Sequence, residues 1–114
     1  MDDWQPTRLR ARLRLLRADE GGRDAWVADG YRPNWRVGPD DATGTPGYAM
    51  GIVRLIGRER LNPGEECEIE VSAMPRSLWA GVSSGAVIEV REGPRLVGRA
   101  TIMGVARADE STAG

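Results

Sequence analysis

Apolar and polar residues alternate with a period of two near the start of the chain. Within residues 8–16, four small or branched apolar residues alternate with arginines: Leu9, Ala11, Leu13 and Leu15 against Arg8, Arg10, Arg12 and Arg14. Successive side chains of a β-strand point to opposite faces, whereas a helix would scatter both sets around its axis. The pattern predicts a strand with an apolar inner face and a basic outer face.

A second segment has the same alternation with the opposite charge. Within residues 66–73, apolar positions alternate with acidic or hydroxyl ones: Cys67, Ile69, Val71 and Ala73 against Glu66, Glu68, Glu70 and Ser72. Opposite charges directly across an antiparallel pair favour one register. We therefore expect these two strands to be neighbours with their charged stripes facing each other. The alternative is that the arginines, about 7 Å apart along the strand, follow a phosphate backbone.

The remaining chain predicts several more strands and no long helix. Strand-like segments lie at 25–28, 31–37, 48–56, 86–91 and 95–105, and Pro33 is best placed near a strand start or edge. Loops are predicted at 38–47 and 74–85, and a hairpin tip at 91–95. About six strands without intervening helical patterns predict an all-β fold, an antiparallel barrel or sandwich.

Length and composition indicate one domain with no broad basic field. The 114 residues suffice for a single core. We divide them into an N-terminal extension (1–7), a β-barrel (8–107) and a C-terminal tail (108–114) that should fray. Seventeen acidic and 16 basic residues give a net charge of −1, so any binding of nucleic acid must be local.

Residues with catalytic or metal-binding chemistry are scarce. There is no His and one cysteine, Cys67, which alternates with apolar residues and is expected in the core. Glu65, Glu66, Glu68 and Glu70 could hold a hard cation, but a solvated face is the stronger interpretation. No GxxxxGK[ST] motif is present, so no nucleotide is expected. We expect no enzyme activity, no cofactor and no bound metal.

The compartment and the aromatic residues can also be predicted. We expect a cytoplasmic location without membrane attachment. The chain has a single cysteine, no signal-peptide pattern at its N-terminus and no long apolar run. Trp26, Trp35 and Trp79 are expected in the core or its seams, because the chain has no Phe. Trp4 precedes the first strand and is expected to be exposed.

Five short motifs, in order along the chain, resemble one known family. They are DEGGR (19–23), GYRP (30–33), DATGT (41–45), NPGE (62–65) and REGPRLVG (91–98). Together they resemble the C-terminal (third) domain of bacterial elongation factor Tu. This resemblance implies a closed six-stranded antiparallel β-barrel, here as a free-standing protein without the GTPase domain. The chain departs from the family by longer loops before NPGE and after residue 74, and by Pro94 in place of a second Gly.

The resemblance also implies a set of RNA-contact positions. In elongation factor Tu, the third domain meets the T stem of aminoacyl-tRNA through the sugar-phosphate backbone, and the matching residues here are Arg23, Thr43, Glu92 and Gly93. Three of these residues also have a structural alternative. Arg23 could brace its turn through Asp24 or Asp29, and an X-Gly pair such as Glu92-Gly93 is what a tight hairpin requires.

Two functional classes follow from these observations. The first is a non-catalytic protein-interaction module linked to translation, which binds a translation-related protein or itself. The second is an RNA-binding module that contacts the T stem of tRNA or a similar duplex. A surface for either could include Arg8, Arg10, Arg12, Arg14, Arg91 and Arg95. We favour the protein-interaction module, because the net charge is not basic and the inherited RNA contacts are few.

Overall fold

The protein folds into a closed antiparallel barrel of six strands. The computed structural model describes residues 5–38 and 47–106. The strands are β1 Thr7–Leu15, β2 Asn34–Gly38, β3 Gly47–Leu55, β4 Glu66–Met74, β5 Val87–Glu92 and β6 Arg95–Ala106. They close in the order β1-β4-β3-β2-β5-β6, and every neighbouring pair is antiparallel. The all-β, six-stranded prediction is confirmed.

The core lies inside the barrel and is built by the period-two alternation. In β1, buried and exposed residues alternate without a break from Thr7 to Leu15. Trp35 on β2 is fully buried, and its indole N–H donates to the carbonyl of Gly51 at 3.0 Å. Trp79 packs against it with ring centroids 5.7 Å apart. Cys67 is also buried among apolar residues, as the sequence predicted.

The predicted pairing of the two charged strands is confirmed. β1 and β4 are adjacent, and the register places Arg10 opposite Glu70, Arg12 opposite Glu68 and Arg14 opposite Glu66. The ion pairs run diagonally, from Arg10 to Glu68 at 3.2 Å and from Arg12 to Glu66 at 3.0 Å. Long arginine side chains reach these diagonal neighbours easily. The stripes therefore face each other across one seam of the barrel.

The prediction of a strand at 25–28 is wrong. This segment makes a single bridge, between Val27 and Leu61, and only Val27 is deeply buried. Trp26 is 48% exposed instead of lying in the core, and the guanidinium of Arg60 lies 5.0 Å from its ring centroid. The segment runs into Gly30, whose φ of +93° turns the chain before a ladder can form.

Other boundaries differ by a few residues. Tyr31 makes an isolated bridge to Val53, and β2 begins only at Asn34, directly after Pro33. The segment 74–85 contains a short helix, α1 (Arg76–Trp79), in addition to loop residues. α1 and the 3₁₀ turn Ala18–Glu20 are the helices of the described ranges, and neither is long or apolar enough to cross a membrane.

Some sequence predictions fall outside the described residues. They concern Trp4, the DATGT motif with Thr43, and the tail 108–114.

Candidate functional site

The turn between β5 and β6 brings together three of the four positions implied by the resemblance. Glu92 ends β5, and the two-residue connection Gly93-Pro94 leads directly into β6. Gly93 has φ +59°, and a glycine at the first central position is typical of a two-residue type II′ hairpin turn. The predicted hairpin tip is therefore confirmed, with a tighter connection than residues 91–95.

Arg23 reaches this turn and pairs with Glu92. One guanidinium nitrogen contacts Glu92 Oε2, and Nε donates to the carbonyl of Ala25 at 3.1 Å. The Tyr31 hydroxyl donates to the same Glu92 oxygen at 2.6 Å, and the Arg23 guanidinium lies 5.2 Å from the Tyr31 ring centroid. Arg23 thus braces the fold, but its partner is Glu92 and not Asp24 or Asp29. Asp29 instead accepts from the backbone N–H of Leu55 at 2.7 Å.

Contacts within this cluster change the pKa values of Tyr31 and Arg23. Burial, followed by the hydrogen bond to Glu92, raises the pKa of Tyr31 well above its ordinary value. Partial burial acts to lower the pKa of Arg23, but the hydrogen bond and charge of Glu92 outweigh it and the pKa is raised. At neutral pH the Tyr31 hydroxyl is therefore protonated and the Arg23 guanidinium is charged.

The rest of the hairpin tip is also occupied by intramolecular contacts. The Gly93 N–H donates to Asn34 Oδ1 at 3.0 Å. Arg91 donates to Glu89 Oε1 at 2.8 and 2.9 Å and to the carbonyl of Pro94 at 2.8 Å. These contacts account for the hairpin residues structurally. Contact between RNA and Arg23, Glu92 or Gly93 stays a prediction.

The arginine face of β1 is divided by its partners. Arg10 and Arg12 form ion pairs with glutamates of β4. The remaining β4 glutamate, Glu70, forms an ion pair with Arg54 of β3 at 3.4 Å. Within the described residues, a second group of exposed arginines makes neither an ion pair nor a hydrogen bond: Arg8, Arg14, Arg95 and Arg99. The predicted surface of Arg8, Arg10, Arg12 and Arg14 is therefore half neutralised.

Sequence reasoning missed Arg99. It lies on β6 directly opposite Arg14, with Glu89 of β5 on its other side. The strand 95–105 was predicted, and its outward positions include residue 99, so the alternation held the signal. The alternation could not show that β6 is a neighbour of β1, nor the register that places residue 99 opposite Arg14.

A third surface lies at the end of the barrel that carries α1. The Trp79 indole N–H donates to the carbonyls of Met50 at 3.1 Å and Met74 at 3.3 Å, which holds α1 against β3 and β4. Leu78 and Met50 are each nearly half exposed there. Beside Trp79 lies a cleft of about 550 Å³ whose walls include Thr7, Arg76, Val82 and Val105. We call Met50, Leu78 and this cleft the α1 end.

The cysteine and three of the glutamates considered for catalysis or metal binding lie in the core and on the charged face of β4. Burial raises the pKa of the Cys67 thiol, which disfavours the nucleophilic thiolate. The candidate cation ligands Glu66, Glu68 and Glu70 are each engaged by an arginine. Across residues 5–38 and 47–106, no three acidic or cysteine side chains converge in a way that could hold a metal ion.

The sequence was also compared with models of known protein families. No family model matches the chain.

Proposed function

We propose that this chain is a non-catalytic protein-interaction module, similar to the third domain of elongation factor Tu, whose partner is a translation-related protein. The observation that carries this proposal is the exposed apolar surface of the α1 end. Leu78 is 46% and Met50 48% exposed, on elements tied together by the Trp79 hydrogen bonds. Methionine is flexible and enriched at protein interfaces, and an exposed leucine beside it extends the apolar area that a partner could bury.

The electrostatics of the hairpin tip support the same conclusion. A protein that binds an RNA backbone gains much of its affinity from free cations that neutralise phosphates. Here Arg23 is paired with Glu92, and Arg91 is paired with Glu89. The positions expected to meet RNA therefore present a largely neutral surface.

A binding experiment with purified components tests this proposal. Ribosomes and elongation factors of the same host, each purified, are titrated against the labelled chain and against the variants Leu78→Ser and Val87→Ser. Val87 is the matched control, because it is also apolar and exposed but lies on β5. We expect Leu78→Ser to weaken binding at least about fivefold and Val87→Ser to leave it unchanged.

Two results would contradict the proposal. One is equal binding by both variants, which would remove the α1 end from the interface. The other is a concentration-dependent mass in sedimentation equilibrium that Leu78→Ser abolishes, which would make the partner a second copy of the chain.

The alternative function, an RNA-binding module for the tRNA T stem, draws on the exposed Arg95 and Arg99 near the hairpin. Titration of labelled tRNA at two salt concentrations tests it directly. Micromolar binding that weakens steeply with salt and is lost in Arg23→Ala would favour RNA over the protein partner.

A further inference from the structure

We propose that Arg14 and Arg99, with the hydroxyl of Thr101, form a binding site for one doubly charged phosphate group. The site lies on the outer wall of the barrel, where β1 meets β6, and is distinct from the hairpin tip and from the α1 end. The site is independent of the protein partner proposed above.

Two like charges lie next to each other across the β1–β6 seam. Arg14 and Arg99 are directly opposite in the antiparallel β1–β6 register. Their Cβ atoms are therefore about 5 Å apart, and like charges in that arrangement are unfavourable in the absence of an anion. A bound oxyanion between the two guanidinium groups would convert this repulsion into two charge-assisted contacts.

The carboxylates on either side of this arginine pair already have other partners. Glu66 lies opposite Arg14 on β4 but pairs with Arg12 at 3.0 Å. Glu89 lies opposite Arg99 on β5, yet its Oε1 accepts both hydrogen bonds from Arg91. Neither Arg14 nor Arg99 forms an ion pair or a hydrogen bond within the described part of the chain. Both guanidinium groups are thus available, beside carboxylates that already have other partners.

The surface between Arg14 and Arg99 is concave. A concavity of about 210 Å³ is lined by Arg12, Arg14, Leu16, Glu66, Val87, Arg99 and Thr101. This volume is below the roughly 300 Å³ at which pockets for whole small-molecule ligands begin, and so suits a single charged group of a ligand. Thr101 follows Arg99 by two residues, which places its hydroxyl on the same outer face. A hydroxyl there can donate to a third phosphate oxygen.

The charge of the site favours a terminal phosphate over a nucleic-acid backbone. Two free guanidinium groups match the two negative charges of a phosphate monoester or of the free ion. A nucleic-acid backbone carries one charge per phosphodiester, and proteins bind it with a row of free cations along its path. Along β1, the arginines between Arg8 and Arg14 are paired with Glu68 and Glu66.

Chemical-shift titration by two-dimensional NMR tests the site. The probes are inorganic phosphate, a peptide with one phosphoserine, the same peptide unphosphorylated, and an RNA oligonucleotide with hydroxyl ends, at constant ionic strength. The variants are Arg14→Gln and Arg99→Gln. Arg8→Gln is the matched control, because Arg8 is an exposed arginine on the same face of β1 with no ion pair within the described residues.

We expect phosphate to shift the amides around Arg14, Arg99 and Thr101, and each site variant to weaken its binding roughly tenfold. Arg8→Gln should bind as the wild type does. Much tighter binding of the phosphopeptide would identify a phosphorylated protein as the source, and equal affinities would identify the free ion. Unshifted amides, shifts that survive both site variants, or tighter binding of the RNA than of either phosphate probe would overturn the proposal.

Discussion

The two sides of β1 carry the same arginines but meet very different neighbours. On the β4 side, each of Arg10, Arg12 and Arg14 lies opposite a glutamate. On the β6 side, the positions opposite these three arginines are Gly104, Thr101 and Arg99. Complementary charges therefore help to specify the register of the β1–β4 seam, whereas the β1–β6 seam depends on backbone pairing and on the core beneath it. A charged stripe can thus be structural along one edge and available to a ligand along the other.

The largest expected loss of stability comes from a substitution in the core, at a residue that packs beneath both seams. Leu13 is fully buried, between Cys67 on β4 and Ala100 on β6. We expect Leu13→Ala to lower the free energy of unfolding by about 2–5 kcal/mol, through lost transfer energy and a residual cavity. Urea denaturation followed by circular dichroism measures this. Leu78→Ala, at an exposed position, is the control, and a loss at Leu13 no larger than the control would contradict a shared core.

A smaller effect should distinguish the β1–β6 seam by its close backbone approach. A Cβ placed on Gly98 would lie 2.7 Å from the carbonyl oxygen of Arg14. We expect Gly98→Ala to cost roughly 1–3 kcal/mol, because the strands must separate locally. Gly104→Ala lies on the same strand with nothing within 4 Å of its Cβ, and it should be neutral or slightly stabilising. Thermal unfolding of both variants checks this, and equal losses would argue against the close contact.

A matched pair of substitutions tests the electrostatic difference between the seams. Arg12→Gln breaks the ion pair with Glu66 and should lower the free energy of unfolding by about 0.2–1 kcal/mol. Arg14→Gln relieves repulsion from Arg99 and should leave stability unchanged or raise it by a few tenths of a kcal/mol. Both effects should shrink as salt is added. Equal losses in chemical denaturation at low salt would show that the seams do not differ.

The smallest effect concerns pH and the turn that leads into β4. Hydrogen bonds from the backbone N–H and then the side-chain amide of Asn62, with the charge of Arg58, lower the pKa of Glu65 below its ordinary 4.5. Because the folded-state pKa is the lower one, the resulting stabilisation is present above pH 4.5 and is lost as the pH falls through the folded pKa.

Thermal unfolding from pH 6 down to pH 3 should therefore show wild type losing its advantage over Glu65→Gln at the acidic end. Arg8→Gln measured over the same range provides a reference in which Glu65 and the ion-paired carboxylates of β4 keep their partners. A constant difference between wild type and Glu65→Gln would contradict the assigned pKa direction.

The strand pattern could be predicted from the sequence because the barrel repeats one physical rule. Inward positions must be apolar and outward positions can be charged, so β1 and β4 were recognisable, and their complementary charges specified that they pair. The prediction of a strand at 25–28 is wrong because a run of only four apolar residues, AWVA, is short enough to satisfy a strand pattern by chance. Trp26 was misplaced for a related reason, since an aromatic ring can be covered by an arginine, here Arg60, as well as by a core.

The contacts at the hairpin tip could not be predicted from local sequence. Arg23 lies 69 positions from Glu92, and their pairing depends on how the chain before β2 folds over the β5–β6 turn. Nearby carboxylates such as Asp24 were the natural candidates, because no alternating pattern linked Arg23 to a distant partner. The Arg14–Arg99 pair has the same origin, since it required the order in which six strands close.

Closure of the barrel also limits how a partner can engage this protein. Each of the six strands already has a hydrogen-bonded neighbour on both sides. Recognition by strand addition, in which a peptide extends a sheet edge through main-chain bonds, has no open edge to use among these strands. A partner must therefore contact side chains and loops. Single substitutions at the surface should be able to weaken binding of one partner and not of another, without disturbing the fold.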